Sequence, residues 1–252
     1  MARLLIGSSL KMYFGHRQTL DWVRAVAAIC TEHPATVSGA VEFFVIPTFP
    51  SIPAVVEIAR PAGIAVGAQD LHWADSGPFT GEVSAAELAE LGCTLAEVGH
   101  AERRSLLGET DEMVAGKTHA ALRHGLAPVE CVGEPDQGPA ELAVQVCLDQ
   151  LERALAPARA AGTGGRLIVA YEPVWAIGAP TPAPPEHVRA VCGALREHLR
   201  ADPLFPDAAV IYGGSAGPGL LPTIVDAVDG MFLGRFAHDP QAVRAVLDEV
   251  ER

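Results

Sequence analysis

Leu167-Ile168-Val169-Ala170-Tyr171-Glu172-Pro173-Val174-Trp175-Ala176-Ile177-Gly178 is an apolar run that reaches a lone carboxylate and passes at once into a Pro-started, Gly-ended segment. Leu167 to Ala170 have the composition of a short buried strand. Glu172 therefore emerges where the chain leaves a sheet, the place where α/β proteins form clefts. By themselves these residues also fit a strand cap with a solvated carboxylate. Trp175 and Ile177 decide between the two, because an ordinary surface loop does not expose such large apolar groups. The stretch reads as a general base beneath a closing lid.

Outward from this point the same alternation recurs along the whole chain. Short Val/Ile/Leu/Ala-rich segments predict strands at Leu4–Ser8, Phe43–Ile46, Ile64–Gly67, Leu95–Val98, Ala127–Val132, Leu167–Ala170, Ala209–Tyr212 and Met231–Leu233. Helical patterns lie between them, near Thr19–Ile29, Ile52–Ala59, Ala85–Leu91, Glu112–Arg123, Ala140–Leu155, Glu186–Leu199, Leu221–Val225 and Gln241–Val250. Ser84 followed by Glu87 is a capping box, and Pro139, Pro185 and Pro240 fall at or near first-turn positions. Repeated βα units imply a parallel sheet. An open doubly wound sheet is the structural alternative. Eight such units in 252 residues, close to the roughly 250 of a typical (β/α)8 barrel, favour closure into a single barrel over 1–252. The Pro/Gly-rich stretches Gly133–Pro139 and Gly178–Pro185 follow strands and are too short to be linkers.

Composition narrows the function. Nearly half the residues are apolar, yet no uninterrupted apolar stretch approaches the ~20 residues of a membrane span. The first apolar run, Leu4-Leu5-Ile6, is too short for a signal peptide, so the expected location is cytoplasmic. Five scattered cysteines without a C-x-x-C pair suit buried thiols rather than disulfides or zinc. His119 and His124 are spaced so as to diverge around a helix, which argues against a metal site. A formal charge of -13 argues against nucleic-acid or anionic-membrane partners. Any anionic substrate must be held by backbone dipoles and a few cations.

In a closed barrel, residues just after the strands share one face. Those positions supply Ser9 and Lys11, then Gly99-His100-Ala101-Glu102-Arg103-Arg104, then Glu172, then Gly213-Gly214-Ser215, then Gly234-Arg235. Together they offer a cation, an imidazole, a carboxylate base and backbone N–H nests for a phosphate. Leu10-Lys11-Met12, Gly99-His100-x-Glu102-Arg103-Arg104, Cys131-Val132-Gly133-Glu134, Ala170 to Gly178 and Tyr212-Gly213-Gly214-Ser215 resemble, in order, the motifs of the triosephosphate isomerase family. That resemblance implies a cofactor-free homodimer acting on a small phosphorylated sugar, with Glu172 as base, His100 as neutral electrophile and Lys11 as oxyanion partner. It also implies phosphate binding by Gly178, Ser215, Gly234 and Arg235, and support from Glu102 and from Thr80. The leading expectation is interconversion of dihydroxyacetone phosphate and glyceraldehyde 3-phosphate in glycolysis and gluconeogenesis.

Four departures qualify that expectation. The family's usual Asn-x-Lys is Ser9-Leu10-Lys11, and Ala101 replaces the usual Ser after the histidine. Pro180 and Pro182 stiffen the rear of the lid, and Arg235 stands where a second Gly is usual. Gln69-Asp70-Leu71-His72-Trp73-Ala74-Asp75, Ser9 before Lys11 and Gly234-Arg235 resemble the branch that isomerises four-carbon erythrulose phosphates in sugar-alcohol catabolism. A low-activity barrel paralogue is a further alternative. Gly213-Gly214-Ser215-Ala216-Gly217 with Asp229 and His238 also fits the order of a serine hydrolase triad, though without its upstream oxyanion motif. The loop Asp70–Thr80, with Trp73 and Phe79, is expected to protrude into a dimer interface.

Overall fold

The computed structural model describes residues 3–250. Eight strands close into one barrel in chain order: β1 Leu4–Ser9, β2 Val41–Ile46, β3 Ala65–Ala68, β4 Leu95–Val98, β5 Ala127–Val132, β6 Ile168–Tyr171, β7 Ala209–Tyr212 and β8 Gly230–Leu233. Every pairing is parallel, and β8 closes on β1 with Gly230 opposite Leu5. The strands are apolar on both faces because both are buried. Leu5, Phe44, Ile46, Leu95, Val129 and Ile168 fill the barrel interior, whereas Ile6, Phe43, Val45, Val98 and Val169 meet the surrounding helices. The open-sheet alternative is thereby removed.

Each predicted strand is present within two residues of its expected bounds. The helices differ more. The first runs from His16 to Glu32. The helix expected to stop at Leu155 continues to Ala161 through Pro157, because buried Ala154, Leu155 and Ala158 hold that turn against its neighbours despite the lost hydrogen bond. The last helix ends early, at Leu247. Two short helices, Pro34–Val37 and Ala101–Leu107, were not anticipated. The second of these carries part of the site. Ser84 caps its helix as the capping box predicts, its hydroxyl accepting from Glu87 N–H at 3.2 Å.

At the amino end of the barrel Glu42 lies on the inward side of β2, in register with Phe44 and Ile46. Arg166 clamps both of its oxygens at 2.8 Å, and Arg3 approaches at 3.3 Å. Among the described residues no helix is long and apolar enough to cross a membrane.

Candidate active site

A cleft of about 570 Å³ opens at the carboxyl ends of the strands. Lys11 follows β1 in the left-handed region, at φ 46°, a conformation that costs a non-glycine residue ~1–2 kcal/mol. Gln69 holds it there by donating its amide to the carbonyls of Lys11 (2.9 Å) and Ile46 (3.2 Å). The Lys11 ammonium meets Glu102 at 2.6 Å. Burial lowers the Lys11 pKa, but Glu102, Glu172 and Glu97 together carry it above its ordinary value.

His100 is the N-cap of the helix Ala101–Leu107, and its Nδ1 accepts the Glu102 backbone N–H at 3.1 Å. That bond leaves the ring proton on Nε2. Nε2 in turn faces the Glu172 carboxylate at 3.2 Å and Glu97 at 4.0 Å. Burial lowers the affinity of His100 for a second proton, and the two carboxylates outweigh it, pushing the pKa up to about 9. The amide at Nδ1 opposes that second proton, since an imidazolium would have to give up the bond.

Glu172 is buried, and its Oε2 is the oxygen that meets His100 Nε2 at 3.2 Å. Two glycines make its place possible. A Cβ on Gly213 would sit 2.4 Å from Glu172 Oε1, and one on Gly133 would lie 2.0 Å from the Glu172 carbonyl oxygen. The carboxylate therefore occupies a slot that any side chain at Gly213 would close.

The segment after Glu172 folds over the cleft. Trp175 Nε1 donates to Glu134 at 2.7 Å, Ala183 N–H donates to the Tyr212 hydroxyl at 2.9 Å, and Ser215 Oγ donates to the carbonyls of Ala176 (2.8 Å) and Ala179 (3.0 Å). Trp175 and Ile177 are half-buried in this closed arrangement. Gly178, Ser215, Gly234 and Arg235 meet at the cleft's far end, where the Arg235 guanidinium reaches toward Gly178.

The structure thus brings together Ser9, Lys11, Glu102, His100, Glu172, Gly178, Ser215, Gly234 and Arg235. Thr80 lies outside its own chain's cleft and is exposed. Arg103 and Arg104 are ion-pair partners. Arg103 meets Asp70 at 2.6 Å beside buried Lys117, and Arg104 meets Asp111 at 2.7 Å. The hydrolase reading fails on geometry. Asp229 sits at the opposite end of the barrel, bonded to Val210 N–H and Arg196, while Ser215 is committed to the lid. Sequence reasoning missed Gln69 as a brace for Lys11, Glu134 as the anchor of the lid, and Glu97. A lone Glu inside the apolar strand Leu95–Val98 was the available signal for the last.

A closed parallel barrel that converges a carboxylate, an imidazole and an ammonium on one cleft under a lid is an isomerase of the (β/α)8 class. The chain belongs to the triosephosphate isomerase family, whose model matches residues 4–250. It is 51% identical over 247 residues to the L-erythrulose-1-phosphate isomerase of Pectobacterium atrosepticum, covering 98% of this chain and 95% of that protein. It is 37% identical to the triosephosphate isomerase of Synechococcus sp. strain JA-3-3Ab, covering 98% and 95%. It is also 35% identical to the L-erythrulose-1-phosphate isomerase of Rhizobium rhizogenes, covering 97% and 94%.

Proposed function

We propose that the protein is a cofactor-independent cytoplasmic isomerase of a four-carbon ketose phosphate, L-erythrulose 1-phosphate. The observation that carries the chemistry is the Glu172 carboxylate held 3.2 Å from His100 Nε2 in a cleft that Lys11 also lines. Glu172 takes the proton from the carbon beside the carbonyl, and the C–H electrons become the C=C bond of an enediolate. His100 Nε2–H and the Lys11 ammonium stabilise the oxyanion as it forms. Once Glu172 has taken the substrate proton its charge no longer raises the His100 pKa, and His100 acts as a neutral imidazole with Nδ1 occupied by the Glu102 N–H. His100 Nε2 gives its proton to the oxygen on one carbon and recovers one from the hydroxyl on the other, and protonated Glu172 returns its proton to the former carbonyl carbon. In a 1-phosphate of this kind the carbonyl moves from C2 to C3.

Gly178, Ser215, Gly234 and the Arg235 peptide bind the phosphate through backbone N–H groups, and the Arg235 guanidinium adds charge at the mouth. The closed lid keeps water from the enediolate. The 51% identity to an L-erythrulose-1-phosphate isomerase over nearly all of both chains supports the four-carbon substrate, as do Ser9, Ala101 and Arg235. The second reading is interconversion of dihydroxyacetone phosphate and glyceraldehyde 3-phosphate, supported by the shared Lys11, His100 and Glu172 and by triosephosphate isomerase relatives. The two substrates differ only in a hydroxymethyl group on the carbon that loses its proton. Coupled assays with both, at equal concentration, separate the readings. A higher kcat/KM for the triose phosphate overturns the first, and turnover of neither identifies a low-activity paralogue.

The proposed assembly is a homodimer. Trp73 and Phe79 are 41% and 39% exposed on the loop after β3, with Trp73 stacked and Phe79 tilted against His72 at 4.1 Å each, and Met12, Leu106 and Leu107 are more exposed still. Such a set of apolar groups marks a contact surface. A monomeric, fully active species in sedimentation would overturn it.

A further inference from the structure

Glu97 lines the cleft, lies on the inward side of β4 two residues beyond Leu95, and is 3% exposed. Its Oε1 is 4.0 Å from His100 Nε2, and its Oε2 is buried without a hydrogen-bond partner. The proton transfer described above does not use it. Glu172 already supplies the base and Glu102 already pairs with Lys11. A buried carboxylate oxygen left unpaired costs several kcal/mol relative to a satisfied one, so a group with no role here would be a liability. Burial raises the Glu97 pKa, and the surroundings are mixed: His100, the Ser9 hydroxyl and Lys11 pull it down while Glu172 pushes it up.

We propose that Glu97 is the specificity residue for the fourth carbon, accepting a hydrogen bond from the hydroxymethyl group that a tetrulose phosphate carries and a triose phosphate lacks. The placement follows from the two ends of the cleft. The phosphate is anchored at Gly178, Ser215 and Gly234, and the carbonyl lies at His100 and Lys11. A substituent on the reacting carbon then points away from the phosphate, toward the barrel floor formed by Ser9 and Glu97. Ser9 is short enough to leave room there, and Glu97 Oε2 supplies a buried acceptor without a hydrogen-bond partner. A site built around such an acceptor penalises the substrate that cannot fill it, because the oxygen stays buried and unpaired.

This inference rests on the four-carbon reading, and two measurements keep them separable. The first compares kcat/KM for L-erythrulose 1-phosphate and dihydroxyacetone phosphate in wild type, Glu97→Gln and Glu97→Leu. The four-carbon to three-carbon ratio should fall roughly 5- to 150-fold in Glu97→Leu, the penalty for a buried acceptor left unsatisfied. It should fall less in Glu97→Gln, which keeps an amide oxygen. Circular dichroism and thermal melting confirm folding. The second measures, by calorimetry, binding of two phosphorylated hydroxamate mimics of the enediolate, with and without the hydroxymethyl arm. Wild type should favour the longer mimic and Glu97→Leu should lose that preference. An equal fall for both substrates, or an unchanged ratio, overturns the role of Glu97 while leaving the four-carbon reading intact. Absence of wild-type tetrulose turnover, with the mimic preference present and lost in Glu97→Leu, overturns the substrate reading and keeps the Glu97 contact. No mimic preference in wild type overturns the contact.

Discussion

Glu42 and Glu97 both project into the same barrel, one near each end, and they are treated in opposite ways. Glu42 at the amino end has each oxygen held by Arg166 at 2.8 Å, with Arg3 close by. Glu97 at the carboxyl end has a buried oxygen with no hydrogen-bond partner and shares His100 and Lys11 with Glu172, whose Oε2 meets only the His100 ring. The barrel satisfies its buried charge where it needs only stability. It leaves acceptors open where a ligand will complete them, as functional faces of this architecture do.

The largest effect should come from the most exposed point of that asymmetry. Glu172→Gln should lower kcat/KM by ~10⁴-fold or more, the upper end for loss of a positioned proton acceptor, with the melting temperature unchanged or higher. The same variant should lower the His100 pKa, because Glu172 is a principal cause of its rise to about 9. An imidazole titration by NMR that stays fixed in Glu172→Gln would break the electrostatic side of the comparison.

Glu130 tests whether unpaired burial matters away from the cleft. It faces outward from β5, with Oε2 accepting from the Thr118 hydroxyl at 2.7 Å and Oε1 unpartnered. Burial raises its pKa from 4.5 to about 8, against the pull of Thr118 and Arg104. The folded protein then keeps a proton that the unfolded chain releases near 4.5. Stability is full below that pH, falls as pH rises toward 8, and levels off above it. At ~1.4 kcal/mol per pKa unit the fall is on the order of 5 kcal/mol. Urea unfolding of Glu130→Gln, which mimics the neutral acid, should remove this slope. Parallel stability curves for variant and wild type across the window would mean that Glu130 is ionised in the fold.

The barrel was legible because its strands are short apolar runs, each cut off by glycine, proline or a charged residue. Lys11, His100 and Glu172 were legible because each stands just past such a run. What stayed hidden depended on contacts between segments distant in sequence. Ala101–Leu107 looked like loop because Glu102, Arg103 and Arg104 give no apolar stripe, and its start is set by His100 capping rather than by a Ser, Thr, Asp or Asn. Glu97 lies inside an apolar strand rather than just past one, so the strand-end position that marks Lys11, His100 and Glu172 does not mark it. Gln69 and Glu134 act through partners 58 and 41 residues away, and no local pattern announces that.

Glu42 and Glu97 can also be set against each other directly. Glu97→Leu should raise stability by ~1–3 kcal/mol, since an apolar side chain replaces a buried, under-paired carboxylate. Glu42→Leu should lower it by about 1 kcal/mol, a modest loss because Arg166 and Arg3 are partly exposed and retain water. Chemical denaturation of the two variants in parallel reads the difference. Equal signs would show that Glu97 is paid for within the free protein and that the two ends are alike.

The smallest expected effect concerns the residues around the base. Ala101 and Glu172 both line a side cavity of about 350 Å³ behind the cleft, so Ala101→Ser would place a hydroxyl within the base's neighbourhood. Ser9→Asn would fill part of the floor beside Glu97 and offer an amide to the substrate oxygens. The double variant should therefore favour the shorter substrate, but through volume and one or two neutral contacts, while the Glu97 acceptor stays in place. A methylene's worth of fit is ~1–3 kcal/mol, and partial filling should reach only the lower end. The triose to tetrose ratio of kcat/KM should rise several-fold, less than the change produced by Glu97→Leu. A larger shift from Ser9→Asn with Ala101→Ser than from Glu97→Leu would place discrimination in cavity volume and not in the open carboxylate.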